Sequence, residues 1–149
     1  MNPSIFLLLN LAIAFYNVGT IWAHEVDIFR TWRLIDRTQF HRVQEAHFRR
    51  IPFWIFIPVG LAILGNIVLL WYHPGGSPAW CVWTALSLQV LSAVLTAVFW
   101  GRWQGQLAKD ERGPESPYLE RILKTHWLRT FLINGYALVY LFWAVKVLG

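Results

Sequence analysis

Four long apolar stretches constrain the fold of this chain more than any other feature of its sequence. They cover about residues 5–23, 51–72, 79–101 and 127–145, and Arg129 is the only Lys, Arg, Asp or Glu within them. Each is long enough to cross the ~30 Å hydrocarbon core of a bilayer as a helix rising ~1.5 Å per residue. Lipid offers no hydrogen-bond partners, so a span must satisfy its backbone N–H and C=O groups internally, as a helix does. The alternating pattern of barrel strands is absent from this sequence. We therefore predict one all-α membrane domain over residues 1–149, an integral membrane four-helix bundle.

Composition agrees with a membrane protein. The chain has 149 residues, of which 56% are hydrophobic and 14% charged, whereas soluble domains carry roughly 25% charged residues. The net charge of +5 comes from bases placed between apolar stretches, a pattern that favours a membrane surface over nucleic acid as partner. No base precedes the first stretch, so we expect a retained helix and not a signal peptide.

Basic residues concentrate in two of the connections. The segments 24–50 and 102–126 hold eleven of the 13 Lys and Arg residues and all eight acids, while 73–78 has no Lys or Arg. By the positive-inside rule both long connections are cytoplasmic loops, and both termini lie on the non-cytoplasmic side of the inner membrane. The apolar spacing within 36–50 predicts a helix, either on the membrane surface or continuous with the second span, that Pro52 ends or bends.

Polar residues recur every seven positions in the first stretch. Asn10, Asn17 and His24 follow this spacing, and Thr20 and Asp27 lie on the same side. Seven residues are about two helical turns, so these side chains share one face. That face should point into the bundle, where Asn side chains form hydrogen bonds between helices. Tryptophans near both predicted boundaries indicate interfacial belts; they are Trp22, Trp54, Trp71, Trp80, Trp83, Trp100, Trp103, Trp127 and Trp143.

Histidines and neighbouring charged residues gather at the predicted cytoplasmic boundary. The candidate catalytic residues are His24, His41, Glu45, His47, His126 and Arg129. Imidazole and carboxylate ligands suit transition metals, but neither Glu-x-x-His nor His-Glu-x-x-His is present. We predict no metal site, and the sequence identifies no cofactor. We expect His24 to lie near His41 or His47, with Glu25, Glu45 or Arg129 as partner; the alternative is a set of ordinary interfacial histidines.

Four basic residues at this boundary are candidates for binding anionic lipid head groups. Arg49 and Arg50 precede the second span, and Lys124 and Arg129 flank the start of the fourth. Clustered bases next to a membrane attract phosphate groups. The alternative is that they only fix the topology.

Two short segments carry a resemblance to a known family. His47-Phe48-Arg49-Arg50-Ile51 and Lys124-Thr125-His126-Trp127-Leu128-Arg129-Thr130 resemble motifs of small bacterial four-helix membrane proteins similar to the anthrone-oxygenase-like family. The likeness extends to the layout of the whole chain. Most members of that group have no known role, and some of the anthrone-oxygenase-like proteins oxidise aromatic polyketides without an obvious cofactor, so the resemblance implies oxygenase chemistry. Relatives often carry Asn at the place of His126, whereas Trp127 and Arg129 match the motif.

Three functions follow from these observations. The small size, the lack of a catalytic motif and the ten Trp residues favour an accessory subunit of a larger membrane complex. Its partners would be membrane lipid and other membrane-protein subunits, or further copies of itself. The alternative is a small membrane oxygenase or redox enzyme that acts on an apolar aromatic substrate. A transporter is the least favoured, because the middles of the spans carry no charge.

Overall fold

Four long helices form the whole framework of the protein. The computed structural model describes residues 2–149, and no strand occurs in that range. The helices run Pro3–Leu34, Arg37–Leu69, Ala79–Leu107 and Pro117–Leu148, and each contains a stretch apolar enough to cross a membrane. The prediction of an all-helical chain with four candidate spans is confirmed. We call the end of the bundle with the 70–78 connection and the termini the turn end, and the other the loop end.

Three helix starts are capped by side chains that accept a backbone N–H. Asn2, Asp36 and Ser116 each bond to the amide two residues further on. Such caps satisfy donors that have no partner within the helix. Pro3 and Pro117 then occupy the first helical position, where a missing N–H costs nothing.

The helices extend well beyond the predicted spans at the loop end. The first helix continues to Leu34, and residues 37–51 are continuous with the second helix. Segment 24–50 is therefore mostly helical, and so is 102–126, which holds the end of the third helix and the start of the fourth. Pro52 does not end the second helix; the chain passes through it in a π-helical segment, Pro52–Phe56.

Three of the four helices change from α to π form towards the loop end. The π segments are His24–Ile28, Pro52–Phe56 and Thr96–Trp100. A π turn takes in an additional residue, so the residues beyond it are rotated relative to the α-helical pattern. The placement of Asp27 on the polar stripe is wrong for this reason: Asp27 lies within the first π segment and is exposed.

Most of the buried apolar side chains belong to two separate cores. The larger runs along the first and fourth helices and joins them to the turn-end parts of the second and third. It contains Leu7, Ala14, Ile21, Leu69, Cys81, Val82, Ala85, Ile133, Tyr136, Ala137, Tyr140, Trp143 and Ala144. The smaller holds the helical extensions together at the loop end and contains Phe29, Trp32, Phe40, Leu107, Leu119 and Ile122. The loop end is thus a packed layer of its own, and it closes that end of the bundle.

The polar stripe faces the bundle interior as predicted. Asn10, Asn17 and His24 are buried, and the Asn17 amide donates to the Tyr136 hydroxyl at 2.9 Å. Thr20 is half-buried.

The Trp belts are only partly as expected. Six of the predicted belt residues have exposed rings, namely Trp22, Trp54, Trp71, Trp80, Trp83 and Trp127. Trp100 and Trp143 are instead buried in the bundle. Their indole N–H groups donate to Thr125 and Ser77, so burial leaves neither indole unsatisfied.

Candidate functional site

Two histidines from different helices meet at the loop end. The rings of His24 and His47 lie edge to face, with their centroids 5.5 Å apart. His24 lies at the first π segment and His47 four residues before the end of the α-helix that leads into the second span. The expectation that His24 lies near His41 or His47 is therefore met by His47.

A third histidine pairs with a carboxylate. His126 Nδ1 donates to Glu25 Oε2 at 2.8 Å, which joins the fourth helix to the first. His126 is only 1% exposed, and the other carboxylate oxygen, Oε1, lies 3.5 Å from the Arg30 guanidinium. Glu25, one of the three expected partners, thus contacts His126 and not His24.

Aromatic rings separate and enclose these groups. Phe29 stands between two of the histidines, its ring centroid 5.3 Å from that of His24 and 4.6 Å from that of His126. Arg129 is buried, with its guanidinium carbon 5.7 Å from the centroid of the Trp100 ring. The Glu25 carboxylate interacts electrostatically with Arg129. The buried charge therefore has both an aromatic face and a counter-ion.

The hydrogen bonds of the imidazoles define where each carries its proton. His24 Nδ1 lies 2.7 Å from the Thr20 carbonyl oxygen, which can only accept, so this nitrogen carries the hydrogen. The same argument applies to His126, whose Nδ1 faces a carboxylate. Burial lowers the pKa of His24 and of His126, so both rings are neutral near pH 7 and their Nε2 atoms carry no hydrogen. The Nε2 atoms of His24, His47 and His126 are buried and have no hydrogen-bond partner within residues 2–149.

A cavity of about 300 Å³ adjoins this cluster and is lined by all four helices. Its polar lining residues are Asn17, Thr20, His24, Gln89, Ser92, Thr96, Arg129 and Tyr136. The remaining wall is apolar, from Ile21, Ile55, Phe56, Val59, Ala62, Ala93, Ala97, Gly101 and Ile133. Residues of all three π segments line it. Local π-helix is frequent at functional sites. The cavity combines a mainly apolar surface with polar side chains placed within it, as small-molecule sites do.

Two predicted site residues lie outside this arrangement. His41 is exposed, and its ring contacts the Ala108 carbonyl oxygen at 2.8 Å, which connects the second helix to the end of the third. Glu45 is exposed and forms an ion pair with Arg49 at 2.6 Å. Both face away because the buried side of this helix is formed by Phe40, Gln44 and Ile51.

The predicted lipid-binding residues divide into an exposed group and a buried one. Arg49 and Arg50 are exposed, and so is Lys124, which pairs with Glu120 at 2.6 Å. Lipid binding by these three stays a prediction. Arg129 is 6% exposed and lies inside the bundle, so its guanidinium is not at a surface that head groups reach.

Several residues of the site had no marker in the sequence. Trp100 fits the pattern of an interfacial belt, and nothing in the sequence distinguishes Gln89 or Tyr136, although all three contact or line the site. Within residues 2–149, no three His, Cys, Asp or Glu side chains are grouped so as to hold a metal ion.

Comparisons of the chain with protein-family models, with curated proteins and with solved structures give no match.

Proposed function

We propose that this protein is a small membrane enzyme that binds an apolar aromatic molecule in the cavity between its helices. The observation that carries the proposal is that His24, whose Nε2 is buried and has no partner among the residues described, lines that cavity together with Arg129. A base next to a buried cation is suited to removing a proton and stabilising the anion that results.

The cavity favours a flat, apolar substrate. Its volume of about 300 Å³ lies at the lower end of the range for small-molecule sites, which suits a compound of two or three rings. Most of the surface of the wall is apolar, although eight polar residues contribute to it. We place the entry for a substrate dissolved in lipid beside Phe56, which lines the cavity and is also exposed on the outside of the second helix.

The chemistry starts with a proton transfer. A C–H or O–H bond of the substrate breaks, the proton passes to His24 Nε2, and the electron pair stays on the substrate next to Arg129. The resemblance to anthrone-oxygenase-like proteins suggests dioxygen as the second reactant. A CH₂ group between two aromatic rings then takes up O₂ and becomes a carbonyl group with release of one water, which balances atoms and electrons.

Hydrogen–deuterium exchange tests the proton transfer without the oxidation. The protein is placed in lipid nanodiscs in D₂O without oxygen, and loss of the acidic protons of anthrone is followed by NMR. General-base catalysis contributes ~10²–10⁴-fold, so His24→Gln should lower the enzyme-dependent rate at least ~10-fold. His41→Gln is the matched control, because His41 is exposed and outside the cavity. Equal rates in the wild type and His24→Gln would contradict the proposal.

We also propose the membrane orientation that the bases indicate, with the loop end cytoplasmic and the protein in the inner membrane. Eleven of the 13 Lys and Arg residues belong to segments 24–50 and 102–126, both at the loop end. The cavity then opens in the cytoplasmic half of the bilayer.

An accessory subunit remains the second candidate, on a different observation. Only 17% of the apolar stretch of the second helix is buried inside the bundle, against 39% of that of the fourth helix. The outward side of the second helix is therefore free to contact lipid or the helices of another subunit. Purification in mild detergent separates the two functions: a partner protein in fixed proportion favours the subunit, and an isolated chain that binds an aromatic ligand favours the enzyme.

A further inference from the structure

We infer that the ligand of the cavity is an elongated aromatic molecule with a hydroxyl group at each end. The inference rests on the proposed function only in that it places the ligand in this cavity. It follows from two polar pairs at opposite ends of the site and from a largely apolar wall between them, in which the hydroxyls of Thr20 and Thr96 are already bonded to backbone carbonyls. Gln89, a further polar residue of the wall, accepts a hydrogen bond from Asn66.

The first pair lies at the loop end of the cavity. His24 Nε2 is an acceptor, since its Nδ1 carries the hydrogen that binds the Thr20 carbonyl. Arg129 Nε–H is a donor. Both atoms are buried, both residues line the cavity, and neither atom has a partner among the residues described. This end therefore holds one unpaired acceptor and one unpaired donor, which are buried behind the cavity wall and reach a ligand when their side chains turn towards it.

The second pair lies deeper in the bundle. Asn17 and Tyr136 are bonded to each other at 2.9 Å, are buried, and line the same cavity. With the Asn17 amide donating to Tyr136, Asn17 Oδ1 is a free acceptor and the Tyr136 O–H is a free donor. If the amide is turned over, Tyr136 donates to Asn17 Oδ1, and the amide N–H₂ and the phenol oxygen remain. Either way this end also offers one donor and one acceptor.

The two pairs are arranged in register on neighbouring antiparallel helices. Asn17 and His24 are seven residues apart on the first helix, and Arg129 and Tyr136 are seven apart on the fourth. At ~1.5 Å per residue this places the pairs about 10 Å apart along the bundle. Ile21 and Ile133 lie between them and line the cavity with their apolar side chains.

A hydroxyl group matches each pair, because it has one hydrogen to donate and lone pairs to accept. Buried donors and acceptors without partners are costly, and a ligand that supplies both hydroxyls satisfies both ends. The apolar middle is satisfied by ring carbons. Two linked rings with a hydroxyl at each far end combine these features.

Three biphenyls test the inference directly. The protein in lipid nanodiscs is titrated with 4,4′-dihydroxybiphenyl, 4-hydroxybiphenyl and biphenyl, and binding is followed by tryptophan fluorescence with calorimetry as a check. We expect the diol to bind at least tenfold more tightly than the mono-ol. Tyr136→Phe should reduce that preference to less than threefold and leave biphenyl unaffected. Tyr140→Phe is the matched control, since Tyr140 is buried one turn further along and does not line the cavity.

Each result decides a defined point, provided that circular dichroism shows both variants to be folded. Equal affinity for the diol and the mono-ol would overturn the inference, because the second hydroxyl would then gain nothing over water bound at that polar pair. The proposed function would still stand. A diol preference that survives Tyr136→Phe would overturn it too. No binding of any of the three compounds would contradict the aromatic cavity itself and, with it, the proposed function.

Discussion

Substitution of Gly65 by Ala tests the packing of the first two helices. A Cβ atom added at Gly65 would lie 1.8 Å from Asn10 Oδ1 and 2.8 Å from Asn10 Cγ, whereas ordinary contacts begin at 3.4 Å. The Asn10 amide must therefore leave its position, or the helices must separate by more than 1 Å. The amide is buried and donates to the Phe6 carbonyl at 2.8 Å, so leaving breaks that bond.

The cost of Gly65→Ala follows from these contacts. Overpacking of a close-packed site costs about 1–3 kcal/mol, and hydrogen bonds within membrane bundles average ~0.6 kcal/mol. We expect a loss of about 2 kcal/mol in the free energy of unfolding, measured by titration with a denaturing detergent in mixed micelles and followed by circular dichroism.

Gly60→Ala is the matched control, because nothing lies within 4 Å of a Cβ at Gly60 on the same helix. The substitution should be neutral or raise stability by up to about 1 kcal/mol, because Ala is the better helix former. Asn10→Ala combined with Gly65→Ala should recover part of the loss, because the two sites share one contact. Equal stability of Gly65→Ala and Gly60→Ala would refute the close approach of the two helices.

Three further predictions concern topology, a buried hydrogen bond and acid sensitivity. Reporter fusions at Ser77 should read as external and those at Arg37 as cytoplasmic; the reverse pattern would invert the orientation. Asn17→Leu should cost about 1 kcal/mol, as for other hydrogen bonds within membranes, in the same detergent titration, and no loss would mean that the bond is not formed. The Arg112 guanidinium, with help from neighbouring N–H and O–H donors, holds the pKa of Asp110 well below its usual range. Because the pKa of Asp110 is lower in the folded state than in the unfolded chain, its carboxylate stabilises the fold at neutral pH. This stabilisation is lost as the pH falls from the ordinary pKa of Asp to the lowered pKa of the folded state. Asp110→Asn should remove that part of the acid dependence, and an unchanged pH profile in the variant would contradict it.

The sequence was sufficient to predict the four helices and the inward side of the first. Long uncharged stretches leave no other structure possible in lipid, and the seven-residue spacing of Asn10, Asn17 and His24 identifies the buried face, because it follows directly from the helical repeat. The matching spacing of Arg129 and Tyr136 is visible in the sequence once the antiparallel pairing of their helices is known.

The details of the site depended on features that the sequence does not mark. The π segments shift the helical phase, so Asp27 turns outward and a strict seven-residue pattern fails beyond His24. The contact of His24 with His47 and not with His41 depends on which side of the second helix packs inward. Packing in the smaller core at the loop end determines which side faces inward. That core is formed by several helices together, so the spacing of residues within one helix does not predict it.

Photo-crosslinking of the cavity tests the central claim most directly. 4-Hydroxybenzophenone is apolar, has two rings and reacts with nearby C–H bonds under light, so it serves as ligand and probe at once. Irradiated in nanodiscs and mapped by mass spectrometry, the label should lie on cavity residues such as Val59 or Ala93 and should disappear when 4,4′-dihydroxybiphenyl is in excess. Labelling of the outer face of the second helix, at Leu61 or Leu64, without competition by the diol would contradict the claim that the cavity is a binding site.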